Sequence, residues 1–136
     1  MFHLFKNRAE AGSDLATALS KYAGKPDTLI LALPRGGVPV ACEAAKALSL
    51  PMDVWLVRKV GVPGHEELAL GAIDLNGAFH VNPEVAVAIS IPQSLINHLI
   101  EKERVELARR NKLYRQERPA PSLDGKTVIV IDDGLA

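Results

Sequence analysis

Cysteine is nearly absent: Cys42 stands alone in 136 residues, which excludes an internal disulfide and any cysteine-rich zinc centre. Aromatic residues are scarce as well, with three Phe, two Tyr and one Trp. The core must therefore be built from Leu, Val, Ile and Ala, an economy that suits a parallel sheet under helices better than an antiparallel sandwich. There is no surplus of either charge, since 16 Lys+Arg balance 16 Asp+Glu. That balance argues against a general nucleic-acid or anionic-membrane binder, which usually needs excess Lys and Arg. No uninterrupted apolar run approaches the ~20 residues that span a bilayer. Residues 1–5 lack the n- and h-regions of a signal peptide. The expected location is the cytoplasm. Neither the dinucleotide fingerprint G-x-G-x-x-G nor a Walker A sequence is present.

What is present is an ordinary globular composition, 48% hydrophobic and 24% charged. The length suits one domain, residues 1–136, able to bury roughly 70% of its extended surface. Ala11, Leu15, Ala18, Leu19 and Tyr22 recur at helical spacing over residues 7–23. Asn7 and Glu10 are placed as a capping box, and Gly24 with Pro26 supplies a stop. Residues 28–33 (TLILAL) read as a buried strand that breaks at Pro34-Arg35-Gly36-Gly37. Residues 38–48 carry Ala41, Ala44, Ala45 and Leu48 on one helical face, and residues 51–58 read as a second strand. Strand, helix and strand within about 30 residues make a right-handed parallel βαβ unit.

Residues 60–67, with Gly61, Pro63 and Gly64, read as a mobile loop. Residues 68–74 and 78–81 flank Asn76-Gly77, the strongest short hairpin signal in the chain. Ser90 with Gln93, and Pro92 in the first turn, predict the start of a helix running to about Tyr114. Leu95, Ile96, Leu99, Ile100 and Leu107 supply its buried stripe, and Glu106 with Arg110 forms an exposed i,i+4 pair. Pro119 and Pro121 stiffen a linker. Residues 127–131 (TVIVI), apolar on both faces, are expected inside the sheet. Asp132-Asp133-Gly134 follows at once, and the chain ends at Ala136. A loop and a covering helix normally follow such a strand, so the chain reads as part of a larger α/β domain. The expected fold is a mostly parallel open sheet with flanking helices and a hairpin over the site, its C-terminal part missing.

Ligands in open α/β sheets bind beyond the carboxyl ends of strands. Three such ends are visible: residues 34–37, Arg58-Lys59, and Asp132-Asp133. Together they suit a polyanion carrying a divalent metal. Gly36 and Gly37 let the backbone approach a phosphate, the following helix offers free N–H groups, and Arg35 can grip phosphate oxygens as a fork. The same residues also read as a tight turn with a surface arginine. Asp132 and Asp133 can accept ribose hydroxyls or hold Mg²⁺ through water. Equally they read as a helix cap beside a solvated neighbour, or as a two-carboxylate magnesium site of the receiver and phosphatase type. Arg58-Lys59 alone reads as a solvated basic pair. His3, His65, His80 and His98 show no ligand spacing, and no resident metal site is expected. Cys42 is expected to pack as a small core residue. The mixed charges of residues 101–118 favour a solvated helix face.

The order LALPRGGVPVA, DVWLVRKVGVPGHEELALGAI, a long polar helix and VIVIDDGLA resembles the type I phosphoribosyltransferases, closest to a bacterial branch with a Pro-Arg-Gly-Gly turn. The likeness runs from Asn7-Arg8 and Ala11-Gly12 to the end. It implies that Arg35, Gly36 and Gly37 form a pyrophosphate loop, with a non-prolyl cis peptide between Pro34 and Arg35. It places Arg58 and Lys59 near the pyrophosphate and makes residues 60–70 a mobile hood. Asp132, Asp133 and Gly134 become the start of the phosphoribosyl pyrophosphate motif, with Mg²⁺ as cofactor. Arg35, Asp132 and Asp133 carry the catalytic roles in that reading.

The implied reaction moves a phosphoribosyl group to a nucleobase-like acceptor in nucleotide metabolism. The partners are then a small-molecule donor and acceptor, a second copy of the chain, and neither nucleic acid nor membrane. The family's Thr-Gly-x-Thr loop for the 5′-phosphate would begin where this chain stops, so the chain alone is expected to be inactive. A non-catalytic nucleotide- or phosphate-binding regulatory module, or an inactive fragment, remains the alternative.

Overall fold

Five consecutive buried residues, Thr28–Ala32, form strand β1 at the centre of a parallel sheet. A strand covered on both faces has no polar side to show, which is why its sequence does not alternate. Strand β2 (Met52–Val54) pairs with one edge of β1 and strand β6 (Thr127–Ile131) with the other, both parallel, in the order β2-β1-β6. The computed structural model describes residues 4–116 and 118–134. The expectations for His3, Leu135 and Ala136 lie outside the described residues. Two units make up the chain, Met1–Trp55 with Ala120–Ala136, and Leu56–Pro119. The mostly parallel sheet belongs to the first.

Helix α2 (Gly37–Leu48) crosses from β1 to β2 and presses its alanine face on the sheet: Ala41 and Ala44 are fully buried beside Ile30, Ala32 and Ile131. Cys42 is half-buried on this helix. Helix α1 (Arg8–Ala18) then packs on α2. A Cβ on Gly12 would lie 2.5 Å from the carbonyl oxygen of Val40, so glycine is what lets the two helices approach. Asn7 caps α1 as expected, its Oδ1 accepting from the Glu10 amide at 2.9 Å. The Glu10 carboxylate reciprocates one residue earlier than a capping box requires, on the amide of Lys6. The helix ends at Ala18, and a 3₁₀ turn over Ser20–Tyr22 carries the chain to Gly24.

Two expectations about this unit need correction. The second strand covers Met52–Val54 only; Trp55 adds one hydrogen bond to the carbonyl of Ala32, and Arg58 belongs to a different strand. Strand β6 is an edge among the described residues rather than an interior strand. Ile129 and Ile131 join the core under α2, whereas Val130 is 59% exposed, because only one face of this strand is covered.

The second unit is an antiparallel sheet in the order β3-β4-β5, built from Arg58–Val62, His65–Ile73 and Phe79–Val81. Residues 60–67, expected as a loop, are the β3–β4 hairpin. Val60 and Val62 are buried, Gly61 absorbs a register shift, and Gly64 turns the chain at φ +80°. The expected β4–β5 hairpin is present, with Gly77 at φ +81° and its amide on the carbonyl of Asp74. Burial opposes ionisation of Asp74. Hydrogen bonds from His80 and from the amides of Ala78 and Asn76 outweigh that and hold its pKa below the usual value.

A short helix α3 (Pro83–Ala88) precedes α4 (Gln93–Arg115). The expected Ser90–Gln93 box does not cap α4; its cap position is Pro92, and Gln93 bonds Asn97 instead. Of the expected stripe Leu107 is buried, Ile96, Leu99 and Ile100 are half-covered, and Leu95 is exposed. Glu106 pairs with both Arg109 and Arg110; hydrogen bonds from the two arginines hold its pKa down to about 2.

Candidate phosphate site at the strand ends

Strands β1 and β6 run parallel and in register, Ala32 opposite Ile131. Their carboxyl ends therefore emerge side by side. After β1 the chain turns through Pro34-Arg35-Gly36 into α2, with a cis peptide between Pro34 and Arg35. After β6 come Asp132, Asp133 and Gly134. The carbonyl of Ile131 accepts the Leu33 amide at 2.9 Å and so fastens one turn to the other.

Both glycines are used for contact. A Cβ on Gly37 would lie 2.8 Å from the Ile131 carbonyl oxygen and 3.1 Å from the Asp132 Cα. A Cβ on Gly36 would lie 1.9 Å from Asp133 Oδ2. The glycine turn and the acidic pair, separate along the chain, are thus one surface. The sequence assigns the phosphate donors to the N-terminus of α2, and here the structure differs. The amides of Gly37 and Val38 return to the carbonyls of Leu33 and Arg35, and Pro39 has no N–H. Among the described residues the amides of Arg35 and Gly36 carry no hydrogen-bond partner. The donors left for a ligand are those of the turn itself.

Arg35 is exposed and forms no ion pair among the described residues. Asp132 turns Oδ1 back to the Asp133 amide at 2.8 Å. Asp133 is met by a residue to which the sequence assigns no site role: Arg8, in the first turn of α1, places Nη2 2.9 Å from Oδ2. The hydrogen bond from Arg8 is the main reason the Asp133 pKa falls below its usual value. A cleft of about 400 Å³ opens beside the acidic pair, lined by Asn7, Arg8, Val40 and residues 132–134.

Arg58 and Lys59 stand in the second unit, at the start of β3. The Arg58 guanidinium is taken by Glu103 of α4, with Nε at 2.9 Å and Nη2 at 2.8 Å from Oε2. Lys59 is exposed and lines a cleft with Gly61, Glu66 and Lys102. The first unit therefore assembles Arg35, Gly36, Gly37, Asp132, Asp133 and Gly134, and the second holds the basic pair.

Over residues 4–136 the chain matches the family model described as the phosphoribosyl transferase domain. The chain belongs to the phosphoribosyl transferase family. It is 41% identical over 133 residues to two Mycobacterium tuberculosis proteins, from strains CDC 1551 / Oshkosh and ATCC 25618 / H37Rv, each named "Putative phosphoribosyl transferase". The match covers 98% of this chain and 30% of each relative, so the chain spans under a third of their length. The crystal structure of TT1426 from Thermus thermophilus is similar at a TM-score of 0.79 and 40% identity, over 96% of this chain and 62% of that one. The β1–α2 turn and the end of β6 lie together at the carboxyl ends of adjacent parallel strands, where open α/β sheets bind ligands.

Proposed function

We propose that this chain carries the donor site of a phosphoribosyltransferase, binding phosphoribosyl pyrophosphate with Mg²⁺ for transfer to a nucleobase-like acceptor in the whole protein. The observation that carries the reading is the contact between Gly36 and Asp133. It puts open backbone amides, a cation and two carboxylates on one small surface. A diphosphate needs the first two, and a ribose or a hydrated metal needs the carboxylates. One domain spanning both units is proposed, since the family match runs through both. The proposed compartment is the cytoplasm, where a single cysteine and no disulfide framework are the norm.

In the proposed reaction an acceptor nitrogen attacks C1 of the donor ribose. The C1–O bond breaks, and its electron pair leaves with pyrophosphate. Arg35 and the amides of Arg35 and Gly36 stabilise the charge gathering on that leaving group. Asp132 and Asp133 bind the ribose hydroxyls and orient the sugar. The donor set also fits Mg²⁺. The described residues contain no cluster of three or more ligating side chains, and Mg²⁺ usually takes one or two carboxylates together with substrate phosphates. Asp132 and Asp133 would hold the ion through its water shell, and the ion would neutralise diphosphate charge.

Phosphoribosyl pyrophosphate with Mg²⁺ is expected to raise the melting temperature of the chain. An unchanged melting curve at millimolar donor contradicts the reading.

Self-association through β6 is also proposed. Among the described residues this strand pairs only with β1, so its outer edge offers unpaired backbone groups beside the exposed Val130. An uncharged, β-branched edge of this kind adds strands readily. Sedimentation at micromolar concentration should show a dimer or larger species. A clean monomer contradicts it.

A further inference from the structure

Arg8 belongs to neither motif, yet it reaches Asp133 across 125 residues of sequence. We propose that Arg8 is a positioning residue of the donor site: by pairing with Asp133 it holds that carboxylate in place and cancels its charge beside the glycine turn, where an anionic diphosphate binds. The inference rests on the reading of residues 34–37 as the diphosphate turn.

Three observations carry it. Asp133 Oδ2 lies against Gly36, whose amide is one of the two open donors of the turn. A bare carboxylate there would repel a diphosphate and compete for the same donor. Next, Arg8 is the sole cation among the described residues lining the cleft beside Asp132 and Asp133. Finally, the backbone that carries Arg8 is fixed. Asn7 and Glu10 fix the first turn of α1, and the Gly12 contact fixes α1 on α2, the helix that grows out of the glycine turn. The reach of Arg8 is therefore set by the same packing that sets the turn.

An exposed ion pair of this sort contributes little to stability, so the test must read binding. The probe is inorganic pyrophosphate, titrated calorimetrically into the full chain. With Mg²⁺ present, binding by wild type and its loss in Arg35→Ala establish the diphosphate turn on their own. The Arg8 comparison is then made in a chelator, so that no metal bridges Asp133 to the ligand. Arg8→Ala should bind about tenfold more weakly, the size expected when one nearby unit charge is uncovered at a surface. Arg8→Lys should stay within about threefold of wild type, and so should Arg8→Ala combined with Asp133→Asn, which removes the repelling charge. The melting temperature of Arg8→Ala should match wild type, which separates lost binding from lost folding.

Wild-type affinity in Arg8→Ala overturns the proposal, and so does failure of Asp133→Asn to restore binding. Absence of metal-free binding in wild type overturns it too, because the turn would then not hold the anion unaided. None of these three touches the diphosphate reading, which falls only if Arg35→Ala binds as well as wild type with Mg²⁺, or if wild type does not bind.

Discussion

Arg35→Ala is expected to abolish the rise in melting temperature that pyrophosphate with Mg²⁺ produces in the wild-type chain. Arg35 is the exposed cation of the glycine turn, and no carboxylate among the described residues engages it. Its guanidinium can therefore give two parallel hydrogen bonds to a phosphate, each worth ~1.5–3 kcal/mol when charge-assisted. Losing both weakens binding by roughly two to four orders of magnitude. A ligand at about 100 times its Kd stabilises a protein by about 2.7 kcal/mol, and the same concentration below Kd hardly does so. The shift should consequently vanish rather than shrink. Because the side chain is exposed, the unliganded variant should melt with wild type. An equal ligand-induced shift in Arg35→Ala would make the turn a structural feature only. Arg58→Ala is the useful contrast, because Glu103 already holds that guanidinium within the second unit.

Gly37→Ala should destabilise the first unit by about 1–3 kcal/mol, the usual cost of overpacking a closely fitted contact. The new methyl would meet the Ile131 carbonyl oxygen at 2.8 Å and the Asp132 Cα at 3.1 Å. Both are backbone, so α2 and the end of β6 have to part for it to fit. The melting temperature should fall by roughly 3–15 °C for a domain of this size. Gly36→Ala makes the instructive comparison. The three atoms nearest its methyl all belong to the carboxylate of Asp133, the far end of a side chain that can rotate away. That variant should fold nearly as wild type and lose the contact with Arg8, so its defect should lie in pyrophosphate binding. Thermal melts of both variants, with and without pyrophosphate, check the pair. If Gly37→Ala melts within a degree of wild type, the close approach of turn and strand is not what the geometry indicates.

The difference between the two glycines illustrates what a sequence can show. Strand β1, helix α2 and the places of the turn and the acidic pair at strand ends follow from local pattern. TLILAL has no polar face, the alanines of α2 recur at helical spacing, and Pro-Arg-Gly-Gly and Asp-Asp-Gly each close a strand. Other features are legible yet easily misread. Pro63-Gly64 is a turn dipeptide between Val60, Val62 and the apolar end of β4, which is the pattern of a hairpin. Two glycines within a few residues make it resemble a loop. Asn82-Pro83 marks the start of α3, a helix of six residues and too short for periodicity to register.

What local pattern does not hold is long-range partnership. Nothing near Arg8 names Asp133, and nothing near Arg58 names Glu103. Both ion pairs exist because the chain folds, and both change how a basic residue of the sequence should be read. Arg8, given no role by the sequence, pairs with Asp133, whereas Arg58, placed near the pyrophosphate by the family resemblance, is held by Glu103 of α4. The open donors at Arg35 and Gly36 are of the same kind. Which amides of a turn are consumed internally depends on its detailed path, and that path is set by the packing of Gly37 on β6.

The central claim is that the β1–α2 turn and the end of β6 form one donor site. Backbone amide shifts recorded while phosphoribosyl pyrophosphate and Mg²⁺ are titrated into the labelled chain test it most directly. The largest changes are predicted at Arg35, Gly36, Asp133 and Gly134, moving together with one binding constant. Changes confined to residues 56–119, or no change at millimolar donor, would contradict it.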